Sequence, residues 1–375
     1  MRAPRSRPLI ICHAVLLLAV ETAQGSGYAL VERDAAGLGR AYAGQAAVVG
    51  PAAVAFNPAA LPTTTALSVN FAQIWNHLEP QDAGTVATVP ALYGVSHGLG
   101  LGLYGAYGLA TDYPAQWAGR YAALHSEIDA ARVHLAGAYS VTPTLRLGAG
   151  LFLQQFSATL SQALPTRTGD RLLQVDGDDT GFGWSLGVLW TPRTDLALGL
   201  AYTAAVAHQL TGTATTPSGV LPARVAITTP ETVRTGVRWT LTPHATLLTG
   251  ATWTRWSRLQ SLDIHLANGL SLREEHAWRD TWRFDLGGEY QTGPWTLRLG
   301  TAWDQSPVPD AAHRTPRLPD SDRTWLAAGI GYRTGPWSIS LGYAHLWFAG
   351  GHGVYPPIDY RASSDILALG LERIW

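Results

Sequence analysis

Four arginines and two acids carry the clearest chemical possibilities in the sequence. Arg234, Arg238, Arg283 and Arg298 fall on one face of alternating segments, and Asp285 and Glu289 share that face. A guanidinium presents a fork of donors, so such a row can receive a carboxylate through charge-assisted hydrogen bonds. Pairing with Asp285 and Glu289 is the plainer use of the same arginines and carries more weight. Asp176, Asp178 and Asp179 look like part of a calcium loop, but the EF-hand spacing fails and a solvated outer loop is expected there. The 12 histidines show no H-E-x-x-H pattern and the one cysteine has no partner, so no metal site is expected. Gly98-Leu99-Gly100-Leu101-Gly102 is not followed by the Lys-Ser/Thr of a phosphate loop, and no nucleophile elbow flanks a serine. Catalysis and cofactor binding are therefore not expected.

The elements that must position these residues read as strands. From Trp295 one face is Trp295, Leu297, Leu299, Thr301 and Trp303, and the other is Thr296, Arg298, Gly300 and Ala302. The segment before it sets Trp278, Asp280, Trp282, Phe284 and Leu286 against Arg279, Thr281, Arg283, Asp285 and Glu289. A period of two, apolar on one side and charged on the other, is what lipid outside and water inside impose on a barrel wall. Trp295 and Trp337 open strands, Tyr290 and Tyr332 close them, and Trp303 and Trp347 lie near the opposite ends, as two aromatic girdles would.

A turn motif spaces the strands. Thr142-Pro143, Thr191-Pro192, Thr242-Pro243, Thr292-Gly293-Pro294 and Thr334-Gly335-Pro336 recur at intervals of 49, 51, 50 and 42 residues. Each interval holds two strands of about ten residues and one long loop, the asymmetry of a barrel with short periplasmic turns. Strands are expected at 65–77, 85–96, 99–109, 128–141, 145–159, 180–191, 195–211, 229–241, 245–258, 276–291, 295–304, 323–334, 337–347 and 364–375. The count of fourteen is even, so both ends of the wall fall on one side. The last segment alternates Leu367, Leu369, Leu371 toward a terminal Trp375, and has the look of the signal expected to be read by barrel-insertion machinery.

Composition agrees. Charged residues are 14% against about 25% in soluble domains, and the net charge of −1 gives no electrostatic case for nucleic acid. All 26 basic residues are arginine. Arg2, Arg5 and Arg7, the apolar run from Leu9 to Val20 and the small residues of Ala23-Gln24-Gly25 read as a secretory signal at 1–25, with Cys12 inside it. No later run approaches 18 apolar residues, so a second bilayer has to be crossed by a closed barrel.

Between the signal and the first strand lies an Ala/Gly-rich stretch, 26–64. Here the sequence resembles the FadL/TodX family of outer-membrane transporters for long-chain fatty acids and other hydrophobic compounds. The likeness rests on Gly37-Leu38-Gly39-Arg40-Ala41-Tyr42-Ala43-Gly44, Asn57-Pro58-Ala59, Gly181-Phe182-Gly183-Trp184, Trp253-Thr254-Arg255-Trp256-Ser257, Asp304-Gln305-Ser306-Pro307-Val308-Pro309-Asp310 and Pro319-Asp320-Ser321-Asp322-Arg323-Thr324-Trp325.

The resemblance implies an all-β, 14-stranded antiparallel transmembrane barrel, 65–375, with residues 26–64 as a hatch inside the lumen of a Gram-negative outer-membrane protein. It implies passive, ligand-gated uptake and sideways release at a kink in strand three, placed here at Gly105 to Gly108. Gly27, Tyr28 and Leu30 would reach a lumenal pocket, and Asn57, Pro58 and Ala59 would lie against the kink. Outer loops at about 160–179 and 212–228 would offer a landing groove of Leu160, Leu164, Leu172, Leu173, Val220 and Leu221. Gly50-Pro51 stands where the family carries acids, so different contacts would hold the hatch. The expected partners are a hydrophobic small molecule, outer-membrane lipid and lipopolysaccharide, and the insertion machinery, with the chain a monomer. A general porin for hydrophilic solutes is the alternative, and a soluble secreted all-β binding protein a third.

Overall fold

The computed structural model describes residues 27–375; the expected signal peptide lies outside them. From residue 66 onward the chain runs up and down through fourteen staves. These are β1 (Ala66–Glu79), β2 (Val86–Ser96), β3 (Leu99–Asp112), β4 (His125–Thr142), β5 (Leu145–Thr166), β6 (Gly169–Arg193), β7 (Leu196–Thr203 and Val206–Thr216), β8 (Gly219–Thr229 and Thr232–Thr240), β9 (Ala245–Thr254 and Ser261–Leu266), β10 (Ser271–Glu275 and Thr281–Thr292), β11 (Trp295–Asp304), β12 (Arg323–Thr334), β13 (Trp337–Phe348, with Gly351–Val354) and β14 (Pro357–Ile374). Each pairs antiparallel with its neighbours, and β1 pairs with β14 from Ala66↔Ile374 to Glu79↔Arg361. Closure removes the sheet edge that lipid would otherwise meet.

The short turns follow local chemistry. His97 and Gly98 both have positive φ (51° and 80°), the twist a two-residue hairpin needs. Outside, Trp282, Phe284, Trp295, Trp303, Tyr332, Trp337 and Trp347 are exposed, as girdle residues are. Inside, Arg283, Asp285 and Asp304 are buried.

Several boundaries differ from expectation, for one physical reason. The expected loops 160–179 and 212–228 are long hairpins, β5/β6 turning at 167–168 and β7/β8 at 217–218. Beyond the bilayer no lipid enforces alternation, but the backbone ladder simply continues. Asp176, Asp178 and Asp179 accordingly lie on β6 and not in a loop. The strands expected to be continuous at 195–211, 245–258 and 276–291 are interrupted instead, and β7 to β10 break at a similar height. The breaks fall at 204–205, at 230–231, around the 3-10 turn Trp256–Arg258, and at 276–280. Pro230 has no N–H to extend the β8 ladder, and Ala277 has φ 47°. That break resets the alternation, so Trp278 is buried inside and not on the lipid face where period two would put it.

Residues 27–65 fold within the cylinder. Asp34 caps the short helix α1 (Ala35–Leu38) by accepting from the N–H of Ala36 and Gly37. A second short helix, α2 (Ala53–Phe56), precedes Asn57, which caps the turn Pro58–Ala60. Polar contacts tie this segment to the wall. Arg40 donates to Glu289 (2.9 Å), Gly44 N to Asp285 (3.0 Å), Ala35 N to Asn70 (3.1 Å) and Arg283 to Ala41 O (2.7 Å). Wall glycines allow the backbones to touch. A Cβ on Gly199 would stand 1.9 Å from Ala46 O, and one on Gly300 would stand 2.2 Å from Arg40 O.

Candidate binding site

Above the segment's first residues the lumen holds an apolar cavity of about 60 Å³. Leu109 and Ile128 come from the β3/β4 side, Phe156 and Leu160 from β5, and Leu210, Val225 and Ile227 from the β7/β8 arm. Leu259, Ile264 and Trp278 come from β9, β10 and the break between their halves. Tyr28 is its floor. The ring is 1% exposed and meets Trp256 (centroids 4.7 Å apart), Tyr107 (5.5 Å) and Trp278 (5.9 Å). With Tyr28 in place the space holds only a handful of waters, so a long acyl chain fits only once this floor moves.

Outward, the cavity shares Leu160, Val175, Leu262, Ile264 and Arg317 with an outer groove of about 420 Å³. Arg317 stands at the passage, donating to Glu274 (3.0 Å) and Gln162 (2.7 Å). Inward, beneath Tyr28, lies a polar chamber lined by Arg33, Arg132, Arg234 and Arg283, with Asp285 and Asp304, alongside Leu30, Tyr107 and Trp256.

The wall is discontinuous beside this chamber. The ladder between β2 and β3 runs from Ser96↔Leu99 only as far as Ala91↔Tyr104. The next residue of β2 is Pro90, which has no N–H to give, and β3 shifts register between Gly105 and Tyr107. The free edge of β3 is taken up by the N-terminal segment. Leu30 N donates to Ala106 O (3.1 Å), Gly108 N donates to Tyr28 O (2.9 Å), and Ala29 bridges Tyr107. Arg33 adds hydrogen bonds to Gly105 O (2.8 Å) and Ala106 O (3.0 Å).

The residues singled out from sequence distribute as follows. Tyr28 floors the apolar cavity and Leu30 lines the chamber, while Gly27 lies against Trp256 and its N–H donates to Asp320 (3.0 Å). Leu160 and Leu173 line the outer groove and Leu164 packs beside the core. Leu172 and Val220 are exposed near hairpin tips, and neither they nor Leu221 lines the groove. The tips project beyond the cavity because those segments are strands and not folded-over loops. Asn57, Pro58 and Ala59 do not lie against the β3 kink. Asn57 donates to Val188 O of β6 (3.0 Å), and Pro58 and Ala59 pack on Gly148 and Gly187. The kink is instead held by Tyr28, Leu30 and Arg33.

Of the four arginines, Arg298 pairs with Glu289 (3.1 Å) and Arg283 with Asp304 (3.7 Å) instead of Asp285. Arg238 and Arg298 line a different cavity, at the short-turn end. Arg234 faces the chamber. Sequence reasoning missed Trp256, Trp278, Arg33 and Arg132. A usable signal existed for Trp256: it stands three residues after Trp253, so the two cannot share a face of one straight strand.

The loop between β11 and β12 closes over the segment's start. Burial pushes the Asp320 carboxyl up to about 6, against the pull of Arg323, the Gly27 N–H and Ser306. The folded-state value lies above the ordinary one of 3.8. The penalty for its charge is therefore complete above about pH 6, shrinks as pH falls through that value, and is gone below the unfolded value. Asp320→Asn is expected to flatten the pH dependence of thermal unfolding between those limits, followed by the heat-induced gel-mobility shift; an unchanged profile would remove Asp320 as its source.

Comparison with known proteins agrees with this fold. The sequence profile described as "Outer membrane protein transport protein (OMPP1/FadL/TodX)" matches residues 16–352. The chain is 28% identical over 383 residues to the long-chain fatty acid transport protein of Escherichia coli O6:H1, covering 84% of this chain and 85% of that protein. It is 29% identical over 370 residues to the 47 kDa outer membrane protein of Pasteurella multocida, covering 84% and 86%. Its fold matches a Pseudomonas aeruginosa FadL homologue with a TM-score of 0.83 at 23% identity, covering 92% of this chain and 99% of that one. It matches the Ralstonia pickettii toluene transporter TbuX with a TM-score of 0.71 at 18% identity, covering 92% and 99%. The chain therefore belongs to the OMPP1/FadL/TodX family of Gram-negative outer-membrane transport proteins, which are barrels that carry molecules and not enzymes.

Proposed function

We propose that this protein takes up hydrophobic compounds, long-chain fatty acids or aromatic hydrocarbons, passively across the outer membrane, with residues 26–64 acting as a ligand-gated hatch and release occurring sideways between β2 and β3. The observation that carries this reading is the unpaired edge of β3, occupied by Tyr28 to Leu30, directly beneath an apolar cavity whose floor is Tyr28 itself. Cargo from the outer groove displaces Tyr28, and the residues that follow it leave the β3 edge. The opened seam faces lipid, into which an apolar molecule partitions; concentration and downstream trapping supply the drive. Lipid, lipopolysaccharide and the insertion machinery are the other partners, and a monomer suffices for every step.

Cells expressing the gene are expected to accumulate labelled hexadecanoic acid or toluene faster than cells lacking it. A disulfide between Ala29→Cys and Tyr107→Cys is expected to return uptake to the level of cells lacking the gene, and reduction to restore it. Equal uptake by the two cell types for every hydrophobic compound tried would overturn transport. Full uptake with the disulfide closed would overturn the lateral route alone.

A further inference from the structure

At the short-turn end of β14 a cation faces lipid. The outward row of this strand runs Leu367, Leu369 and Leu371 to Arg373 and Trp375, and register sets Arg373 beside Trp337 of β13 and Leu67 of β1. The guanidinium lies over both indoles, its Cζ 5.2 Å from the centre of Trp337 and 4.7 Å from that of Trp375. Both rings are exposed. Among the described residues Arg373 forms neither an ion pair nor a hydrogen bond, and its Nε is covered without a partner. The arginines of the lumen differ: Arg298 has Glu289 and Arg283 has Asp304. Stacking on the rings uses the faces of the guanidinium and leaves its in-plane N–H donors free to receive an anion. Tryptophan settles at headgroup depth, and the short turns of such a barrel face the periplasm. The counter-charge within reach is therefore the phosphate layer of the inner leaflet.

We propose that Arg373, clasped between Trp337 and Trp375, seats the phosphodiester of an inner-leaflet phospholipid, whose acyl chains lie on the apolar face where β13, β14 and β1 meet. The proposal concerns the outside of the wall and stands independently of the uptake reading. Charge complementarity selects the occupant. A guanidinium matches two phosphate oxygens with parallel N–H donors. A lipid-facing arginine is costly at mid-bilayer and tolerated at the interface, where an anion can answer it. Ile339, Leu341, Leu67, Phe71, Leu369 and Leu371, all exposed, carry the apolar face onward from the seat. A molecule lying there crosses the closing seam, where Leu67 pairs with Arg373 and Trp375 N–H donates to Thr65 O (2.9 Å). Strand ends at a rim fray unless tied down, so a lipid held at this point clamps the closure. The barrel thereby carries one lipid of fixed position within the exchanging shell around it.

The test uses the full chain folded in micelles of a neutral detergent, with bound lipid counted by native mass spectrometry. Phosphatidylglycerol is compared with the diacylglycerol of the same chains, which lacks the phosphate. The parent is expected to retain one phosphatidylglycerol at a concentration about tenfold or more below that needed for the diacylglycerol. Arg373→Gln is expected to erase that difference, and Arg373→Lys to keep part of it, since the charge remains and the fork is lost. Trp337→Leu keeps the charge but removes one side of the clasp, and is expected to weaken retention by about two- to fivefold. Arg193→Gln, at another short turn and already paired with Asp195 (2.6 Å), is expected to change nothing. A heat-modifiable band checks that each barrel is folded, and its transition temperature is expected to rise with phosphatidylglycerol in the parent and not in Arg373→Gln. Should Arg373→Gln fail to fold, Trp337→Leu and the two lipids on the parent decide. Equal retention of the two lipids by the parent, or undiminished retention by folded Arg373→Gln, would overturn the proposal. Displacement of the phosphatidylglycerol by millimolar inorganic phosphate or by hexadecanoate would make the seat one for free anions, and would overturn it too. Each of these outcomes leaves the uptake reading untouched.

Discussion

Valine in place of Gly199 and Gly300 is expected to convert a sealed barrel into an ion-conducting pore. Both glycines lie where the lumenal segment touches the wall, backbone against backbone: a first side-chain carbon would stand 1.9 Å from Ala46 O and 2.2 Å from Arg40 O. No rotamer change relieves such a clash, because the opposing atoms are main chain. Overpacking of this kind usually costs about 1–3 kcal/mol where side chains can adjust, and here they cannot. The wall itself tolerates valine, a favourable strand residue. The segment should therefore leave its seat while the fourteen staves remain paired. Single-channel recording in planar bilayers should then show steady conductance, absent from the parent, with the heat-induced gel shift retained. If the substituted barrel conducts no more than the parent, the segment does not seal the lumen.

The second large effect concerns cargo. Ile264→Asp, or Val225→Asp, places a carboxylate in the apolar cavity, on arms that stand clear of the membrane-spanning ladder. An unpaired buried charge costs several kcal/mol or forces water into the space. Affinity for a sixteen-carbon acid, followed through tryptophan fluorescence from Trp278 and its neighbours, is expected to fall by about 100-fold or more, equivalent to about 2.7 kcal/mol. Leu172→Asp and Val220→Asp, at exposed hairpin tips, should leave it unchanged. Should the tip variants lose affinity and the cavity variants keep it, the binding site lies among the tips and the apolar cavity is not where cargo rests.

Much of the wall was legible before any coordinates, because the bilayer writes a period-two pattern with aromatic ends. Fourteen staves, their short turns and the inward placement of Arg283 and Arg298 all follow from that pattern. Its reach ends where lipid ends. Above the membrane the hairpins of β5/β6 and β7/β8 extend as ladders the sequence reads as loops, and the breaks at Pro230 and Ala277 shift the phase so that Trp278 turns inward. The apolar cavity is built from those extensions and breaks, which explains why Trp256, Trp278 and Phe156 were not singled out, whereas Tyr28 came from the family resemblance. Arg33 and Arg132 were missed for another reason. Arg33 lies in the lumenal segment, where no strand alternation reads its direction, and for Arg132 alternation fixes only the side of the wall it faces, not the partners it finds there.

The lumenal segment is joined to β1 by only a few residues, since Ala60 ends its last turn and Ala66 begins the wall. A plug so joined behaves as an intramolecular ligand for its own barrel. On so short a tether its effective concentration at the seat is in the millimolar range or above, far beyond that of dilute cargo. On the proposed gating, reclosure would follow each departure as a first-order event, with a rate independent of how many barrels the cell carries. On that reading resetting would draw on the tether alone, and the permeability barrier would be breached only for the lifetime of each occupied state.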